Sequence, residues 1–484
     1  MKMLIDGKWS SASDGAEMDI LNPATGAVID RVPAATDEDA AQAVAAATRA
    51  KASIAAMPAH KRSAILMRVA SRMTADRDEL VRTLNAENGK TFREIDGWEI
   101  DAAIRIIRGY AEEAKRLYGQ SIPLHGIPNH ENSIAFTVYQ PRGVIAAIIP
   151  FNYPVELWSH KVAGGIAAGN AVITKPPEEC PLAMLKIAAY FEEEGLPPGV
   201  HQMLTGYGEV VGAHFARSHG VQMISMTGST EVGKIIMRDA ADSLKKVHLE
   251  LGGNDATIIM GDVDPEVAAE ALVAGRFTSG NGQICCAVKR VLVDDAIFDS
   301  VRDAVIRRTR ELVVGDHTLP ETQVGPLITE RAAKRVEAQI AQAVADGAKL
   351  EIGGTRKGNF IEPAVLTGVS LDSAAFQEEI FGPVLPMLRF KGVEEAVQLA
   401  NHSRYGLQAA IFTNDFKAVM NAAMKLDVGT VIVNHQTAMR IECLPFGGNK
   451  YSGNGREGMM QTLQDMSVVK TVVFKDAYSV YATA

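Results

Sequence analysis

Apolar and polar positions change rhythm along the chain, and each change predicts a different element. Thr36 followed by three acids opens a helical pattern, Ala59 to Ala86 carries a second and Asp96 to Tyr118 a third. Acids in a first turn suit the positive end of a helix dipole. From Ile134 to Tyr139 the period shortens to two, and Gly143 to Pro150 is a continuous β-rich run of the kind buried on both faces. Strand and helix then alternate: Ala171 to Thr174, a helix from Pro181 to Glu194, the Gly195 to Gly199 breaker, Val221 to Met226 and a helix from Thr230. A second series has strands at Arg290 to Val293, Leu385 to Phe390, Leu407 to Thr413 and Thr430 to Asn434, with helices near 297 to 313, 329 to 346 and 415 to 426. This βαβ rhythm predicts two α/β domains in succession with parallel sheets. The closing run, Ser467 to Phe474, is β-branched and apolar, and such a strand at a chain end needs a partner sheet, for which exchange between subunits is one source.

A chain of 484 residues exceeds one ordinary hydrophobic core, so two or three domains are expected. With 47% apolar and 22% charged residues and ordinary Gly and Pro content, disorder and collagen-like architecture are excluded. The 58 acids against 49 Lys and Arg leave a net charge of −9, which argues against nucleic acid or an anionic membrane as partner. The longest strongly apolar stretch, Val144 to Pro150, falls far short of the ~20 residues of a membrane span. The N-terminus lacks a signal-peptide pattern, so the cytoplasm is the expected compartment. Cys180, Cys285, Cys286 and Cys443 show neither C-x-x-C pairing nor zinc spacing, and no metal site is expected.

Four stretches carry candidate chemistry. Phe277 to Ala287 approaches Cys285 and Cys286 through glycines, which reads equally as access to a nucleophilic thiol and as a buried pair of core cysteines. Glu250 ends a β-rich run before Gly252 and Gly253, where a carboxylate serves as a general base or simply as a solvated acid at a strand exit. Gly228 and Ser229 follow the strand at Val221 to Met226 and open a helix whose free N–H groups suit a pyrophosphate or an ordinary cap. Lys175 and Glu178 end another strand in a proline turn, where they suit a ribose or a plain charged surface.

Together these stretches resemble the aldehyde dehydrogenase superfamily over essentially the whole chain. The marks are Pro150 to Pro154, Lys175 to Glu178, Gly228 to Gly233, Glu250 to Gly253, Gly282 to Cys285, Glu378 to Pro383, and Pro445 to Gly448 with Ser452 to Glu457, in family order. The resemblance implies an α/β fold with a Rossmann-like cofactor domain (1–120 and 142–252), a second α/β catalytic domain (253–450) and a small β oligomerisation extension (121–141 and 465–484). It implies Cys285 as nucleophile, since the family thiol stands two residues after the Gln, with Glu250 as general base and Asn152 as oxyanion donor. Lys175 and Glu178 resemble adenosine-ribose contacts, Gly228 and Ser229 the pyrophosphate contact, and Glu379 with Phe381 the nicotinamide-ribose clamp, with Phe151 beside them. The implied reaction is non-acylating oxidation of an aldehyde to its carboxylate through a thioester, with NAD as cofactor and NADP possible. Glu178 favours NAD, because a carboxylate bonding the 2′-hydroxyl repels a 2′-phosphate. A homodimer or homotetramer is implied as well. An inactive structural protein on this fold is the other class to weigh, and the retention of Cys285, Glu250 and Asn152 counts against it.

The sequence departs from the pattern at Gly280, where the family often has Asn, from which a more open approach to Cys285 is expected. Counting from the motifs places His160, Ser279, Arg440 and Phe446 along the substrate channel, and Arg105 and Arg108 on a helix face approaching it. Arginines with a histidine suit an oxyanion, so the expected substrate is a small aldehyde with an anionic tail: a semialdehyde, phosphonate, sulfonate or phosphate. A neutral hydroxyaldehyde such as lactaldehyde or glycolaldehyde is the alternative, with the arginines in ordinary salt bridges near Glu99, Glu112 and Glu442.

Overall fold

The protein is described by a computed structural model covering residues 1–477. Seven strands form a first sheet in the order Lys246–Glu250, Met223–Thr227, Val144–Ile148, Ala171–Lys175, His201–Met203, Met3–Ile5 and Lys8–Ser10. The first five run parallel. The chain goes from the middle strand Val144–Ile148 outward to Ala171–Lys175 and His201–Met203, then returns to Met223–Thr227 on the other side. Such a reversal of strand order opens a crevice at the carboxyl ends of the two strands that flank it. Asn152 follows one of those strands and Gly228 the other.

A second seven-stranded sheet has the order Lys349–Ile352, Ala364–Thr367, Val384–Phe390, Arg290–Asp294, Ala256–Ile259, Gln408–Phe412 and Thr430–Val433, parallel except for its first strand. Each sheet is clad by helices, and its central strands are buried on both faces, as their near-continuous Val, Ile and Ala runs require, while the edge strands Lys8–Ser10 and Lys349–Ile352 are partly exposed. Strand Ser467–Phe474 pairs along its whole length with Ile134–Pro141 of its own chain, and Ser121–Pro123 completes a three-stranded sheet. The last seven positions of the expected extension lie outside the described residues.

The expected helices form, with instructive breaks. Thr36 caps Asp37–Ala56 and shares a capping box with Asp39, a device stronger than the dipole effect of the acids alone. The pattern from Ala59 to Ala86 divides at Asp76, which ends Ala59–Ala75 and precedes Arg77–Asn88. The third pattern starts with a widened π turn, Ile95–Glu99, before the regular helix Ile100–Glu113. That turn delivers Glu99 into the interior, where Lys90 meets it. Short strands escape the sequence pattern: Met3–Ile5 and the central Ala256–Ile259 take partners from residues far along the chain, and Lys8–Ser10 joins the sheet edge by pairing with Met3–Ile5. Among the described residues no helix is long and apolar enough to cross a membrane.

His201 is buried between the rings of Trp158 and Phe191, 5.7 and 5.2 Å away, and neither ring nitrogen has a hydrogen-bond partner. Burial alone pushes its pKa down to about 3, so the folded chain refuses a proton that the unfolded chain accepts near pH 6.5. The contribution is therefore complete above pH 6.5 and is lost as the pH falls toward 3. His201→Phe is expected to recover about 2 kcal/mol at pH 5 relative to pH 8, seen as a smaller fall in Tm between those pH values; an unchanged fall contradicts this.

Candidate active site

A cavity of about 220 Å³ lies beside the carboxyl end of the first sheet, lined by Asn152, Cys285, Cys286, Ser279, Thr278, Arg440, Phe446, Glu94, Trp98, Tyr153, Glu156, Leu157, Ile284 and Ala438. Asn152 sits in the turn between strand Val144–Ile148 and helix Pro154–Ala167, which Pro154 opens at its first position. That turn is clamped from below. Lys90 Nζ donates to the Asn152 carbonyl and to Glu99, and lies 3.9 Å from the centre of the Tyr153 ring. The other Glu99 oxygen accepts from Val155 N at 3.0 Å. Asn152 is buried, and its side-chain oxygen has no partner.

Cys285 is half-buried at the end of a tight loop. Gly280, Asn281 and Gly282 all take positive φ (55°, 54° and 74°), a run that a glycine–asparagine–glycine sequence tolerates best. The loop is tied rather than open: Gly280 N donates to the Glu94 carboxylate at 2.8 Å, and the Asn281 side chain bonds the backbone of Gly89, Gly325 and Pro326. This corrects the expected looser approach at Gly280. Lys289 Nζ closes the far side, donating to the carbonyls of Cys285 and Gly253 and to Glu379. The neighbouring Cys286 thiol and burial raise the Cys285 thiol well above the ordinary range, while Lys289 and Arg440 pull the other way.

Glu250 ends strand Lys246–Glu250 and is buried, with no hydrogen bond to either carboxylate oxygen. Burial lifts its pKa to about 7, against the pull of His248. It stands behind the cavity rather than in its lining. Its carbonyl accepts from Gly228 N at 3.1 Å, which joins this strand end to the neighbouring turn.

The remaining strand ends form one continuous edge. Lys175 and Glu178 pair at 2.6 Å, and Glu178 also accepts from Gly208 N at 2.8 Å. Ser229 caps helix Thr230–Ala240 by accepting from Val232 N. Phe151 and Phe381 meet edge to face with ring centres 5.9 Å apart, and Glu379 lies against Gly252, where any Cβ would strike its carboxylate. A helix N-terminus, a buried cation with a half-exposed carboxylate and this glycine cradle fit the phosphates and riboses of a dinucleotide.

The channel residues fare differently. Ser279, Arg440 and Phe446 line the cavity, with the Arg440 guanidinium 4.4 Å over the Phe446 ring. Arg440 pairs with Glu457 at 2.9 Å and Glu156 at 3.5 Å, not with Glu442. Arg105 and Arg108 do share a helix face, but it is the solvent face. Arg105 is half-exposed and bonds Glu442 at 2.8 Å, and Arg108 bonds Thr74 at 3.1 Å, because the apolar face of their helix points to the core. His160 is likewise outside the lining: helix Pro154–Ala167 is buried all round, and His160 bonds the Tyr110 hydroxyl at 3.1 Å. Burial, and to a smaller extent Arg440, hold its pKa well below the usual range, so it is neutral and offers no charge to an anion.

Several residues here were not found from sequence. Tyr153 and Ile284 flank Asn152 and Cys285 and were legible as neighbours. Glu94 and Trp98 come from the π turn and its preceding residues, whose approach is purely tertiary. Lys161 is wholly buried and bonds Glu457 and, at 2.8 Å, Thr227; only its place in the middle of an apolar helix marks it in the sequence.

Because the neighbouring Cys286 thiol is the largest influence holding the Cys285 thiol up, Cys286→Ala is expected to speed alkylation of Cys285 by iodoacetamide at pH 7 at least about threefold. Peptide mass spectrometry locates the label; a slower or unchanged rate contradicts the coupling.

The family model described as the aldehyde dehydrogenase family matches residues 9–472. The 3-sulfolactaldehyde dehydrogenase of Priestia megaterium is 38% identical over 471 residues, with 97% of each chain covered. The lactaldehyde dehydrogenase of Methanococcus vannielii is 39% identical over 475 residues, covering 97% of this chain and 99% of the relative. Among solved structures, glyceraldehyde-3-phosphate dehydrogenase from Methanocaldococcus jannaschii, complexed with NADP, superposes with a TM-score of 0.91 at 35% identity, covering 95% of this chain and 99% of that one. Betaine aldehyde dehydrogenase from Staphylococcus aureus, in complex with NAD+, gives 0.94 at 33% identity, covering 98% and 94%. With the match running nearly end to end, the chain belongs to the aldehyde dehydrogenase family and has its fold.

Proposed function

We propose that this protein oxidises a small aldehyde to its carboxylate with NAD or NADP, through an acyl group carried on Cys285. The observation that carries the reading is the convergence of Cys285 and Asn152 on one small cavity at the crevice of a parallel sheet. Cys285 adds to the carbonyl carbon as its thiolate, with Lys289 and Arg440 opposing the neighbouring Cys286 and the burial that hold the thiol protonated at rest. The oxyanion accepts from the Asn152 amide and a backbone N–H near Cys285, and loss of one such donor costs on the order of 3 kcal/mol in the transition state. The dinucleotide, when bound, supplies the hydride acceptor. Lys175, Glu178, Gly228 and Ser229 would hold its adenosine and pyrophosphate side, and Glu379, Phe381 and Phe151 the end nearer the thiol. Glu250 then takes a proton from water, the hydroxyl oxygen bonds to the acyl carbon, and the C–S bond breaks to release the acid and the thiol. A carboxyl group with a pKa of about 7 both takes and returns a proton at neutral pH. With Glu250 present, water rather than a second thiol is the acyl acceptor.

For the substrate, Arg440 is the cation in the cavity lining and favours an aldehyde with an anionic tail, in line with the sulfonate of the 3-sulfolactaldehyde relative. A second reading has its own support: Glu156 and Glu457 already flank Arg440, and a site so balanced suits the hydroxyl of lactaldehyde, the substrate of another relative. The enzyme works as a homodimer or homotetramer. Val468, Val469, Val473 and Phe474 are exposed on an edge strand whose outer side has no strand partner among the described residues. The four free thiols accord with a reducing cytoplasm.

NADH formation with 3-sulfolactaldehyde and with lactaldehyde decides between the substrates. The anionic reading expects a higher kcat/KM for the sulfonate, and Arg440→Gln to raise KM for it at least about tenfold more than for lactaldehyde. Equal effects return Arg440 to structure. Glu178→Ala is expected to shift the ratio of kcat/KM for NADP over NAD upward about tenfold or more; an unchanged ratio removes Glu178 from cofactor choice.

A further inference from the structure

We infer that His248, anchored by Asp465, is a positioning residue that keeps Glu250 as a carboxylate in its buried resting place. The inference rests on the reading of Glu250 as the base for thioester hydrolysis. Residues 248 and 250 stand two apart on one strand, so their side chains leave the same face as neighbours. His248 Nε2 lies 3.6 Å from Glu250 Oε1, and its Nδ1 is 2.6 Å from Asp465 Oδ2. Asp465 ends helix Met459–Asp465, and its other oxygen pairs with Lys246 at 2.9 Å. Gly455 packs against the imidazole so closely that any Cβ there would run into the ring, which fixes the ring plane.

The carboxylate has no other support of this kind. Neither Glu250 oxygen accepts a hydrogen bond, and among the described residues His248 is the one cation within ion-pair distance. The other charges facing the pair are Glu457, which repels Glu250, and Lys161, which is committed to Glu457; Arg440 is bound to Glu457 and Glu156 in turn. A buried carboxylate without a partner takes up a proton instead of staying charged. Although burial pulls it down, His248 is brought up to about 9, by the bond to Asp465 and by Glu250, and so carries its charge at neutral pH. Asp465 reaches the surface, and its charge is what makes a buried imidazolium tolerable.

The test uses p-nitrophenyl acetate, which transfers its acetyl group to Cys285 and releases p-nitrophenolate without any cofactor. The initial burst reports acylation and the slow phase reports hydrolysis of the thioester. His248→Ala is expected to leave the burst in place and move the acid limb of the slow phase up by about one pH unit, a loss of about fivefold at pH 7 that shrinks to within about twofold at pH 9. Asp465→Asn, which keeps an acceptor for Nδ1 but removes the charge, is expected to move the limb in the same direction by less. An unmoved limb in His248→Ala, whether the variant is fully active or uniformly slow, overturns the inference. Glu250→Gln separates the two levels. A lost slow phase with a retained burst upholds Glu250 as the base, and a slow phase of ordinary rate in that variant overturns both Glu250 and the role given to His248.

Discussion

The buried contact of Lys90 with Glu99 and the Asn152 carbonyl is the constraint on which the site depends. An ammonium and a carboxylate taken from water are costly, and they are tolerable only with each remaining donor and acceptor engaged. Here the ammonium also holds the carbonyl of Asn152 and lies against the Tyr153 ring, while the carboxylate holds Val155 N. One ion pair thus ties both ends of the turn, the Asn152 carbonyl and Val155 N, that carries the amide into the cavity. Removing either partner would leave an unpaired buried charge, at a cost of about 3–5 kcal/mol, and would free the turn at the same time.

Two further strings of charge are laid out from that point, and they explain how so polar an interior is held. Lys161, Glu457, Arg440 and Glu156 alternate in sign from the helix behind Asn152 to the cavity wall. Burial alone would raise Glu457, yet Lys161 and Arg440 hold it well below the usual carboxylate range. Glu156, at the end of the string, is pushed up to about 7 by burial. The second string, Asp465, His248 and Glu250, runs from the surface inward. Both strings end in a carboxyl group that titrates near neutrality, one in the cavity lining and one behind it.

Much of this architecture was legible because it is local. The parallel strands read as apolar β-branched runs, the helices as amphipathic repeats, and the turns at Asn152, Glu250 and Cys285 sit where strand ends and glycines announce them. What was illegible depends on distant residues or on which face of a helix is inward. Arg105 and Arg108 are spaced as a pair on one face, but spacing does not say that the face is wet; the Ile and Ala positions opposite them decide it. His160 looked like a channel residue by counting along a helix that is buried on every side. Glu99 and Lys90 meet through a π turn that no periodicity signals, and Arg440 found Glu457 rather than the nearer Glu442 because Glu442 is engaged by Arg105.

The proposed mechanism turns on an acyl group at Cys285 that Glu250 helps to remove. Intact and peptide mass spectrometry of the Glu250→Gln variant, quenched after mixing with NAD and either 3-sulfolactaldehyde or lactaldehyde, measures it. Stoichiometric acyl adduct is expected on the peptide bearing Cys285, with one NADH formed per adduct. No adduct, or an adduct that survives Cys285→Ser and moves to Cys286, would contradict it.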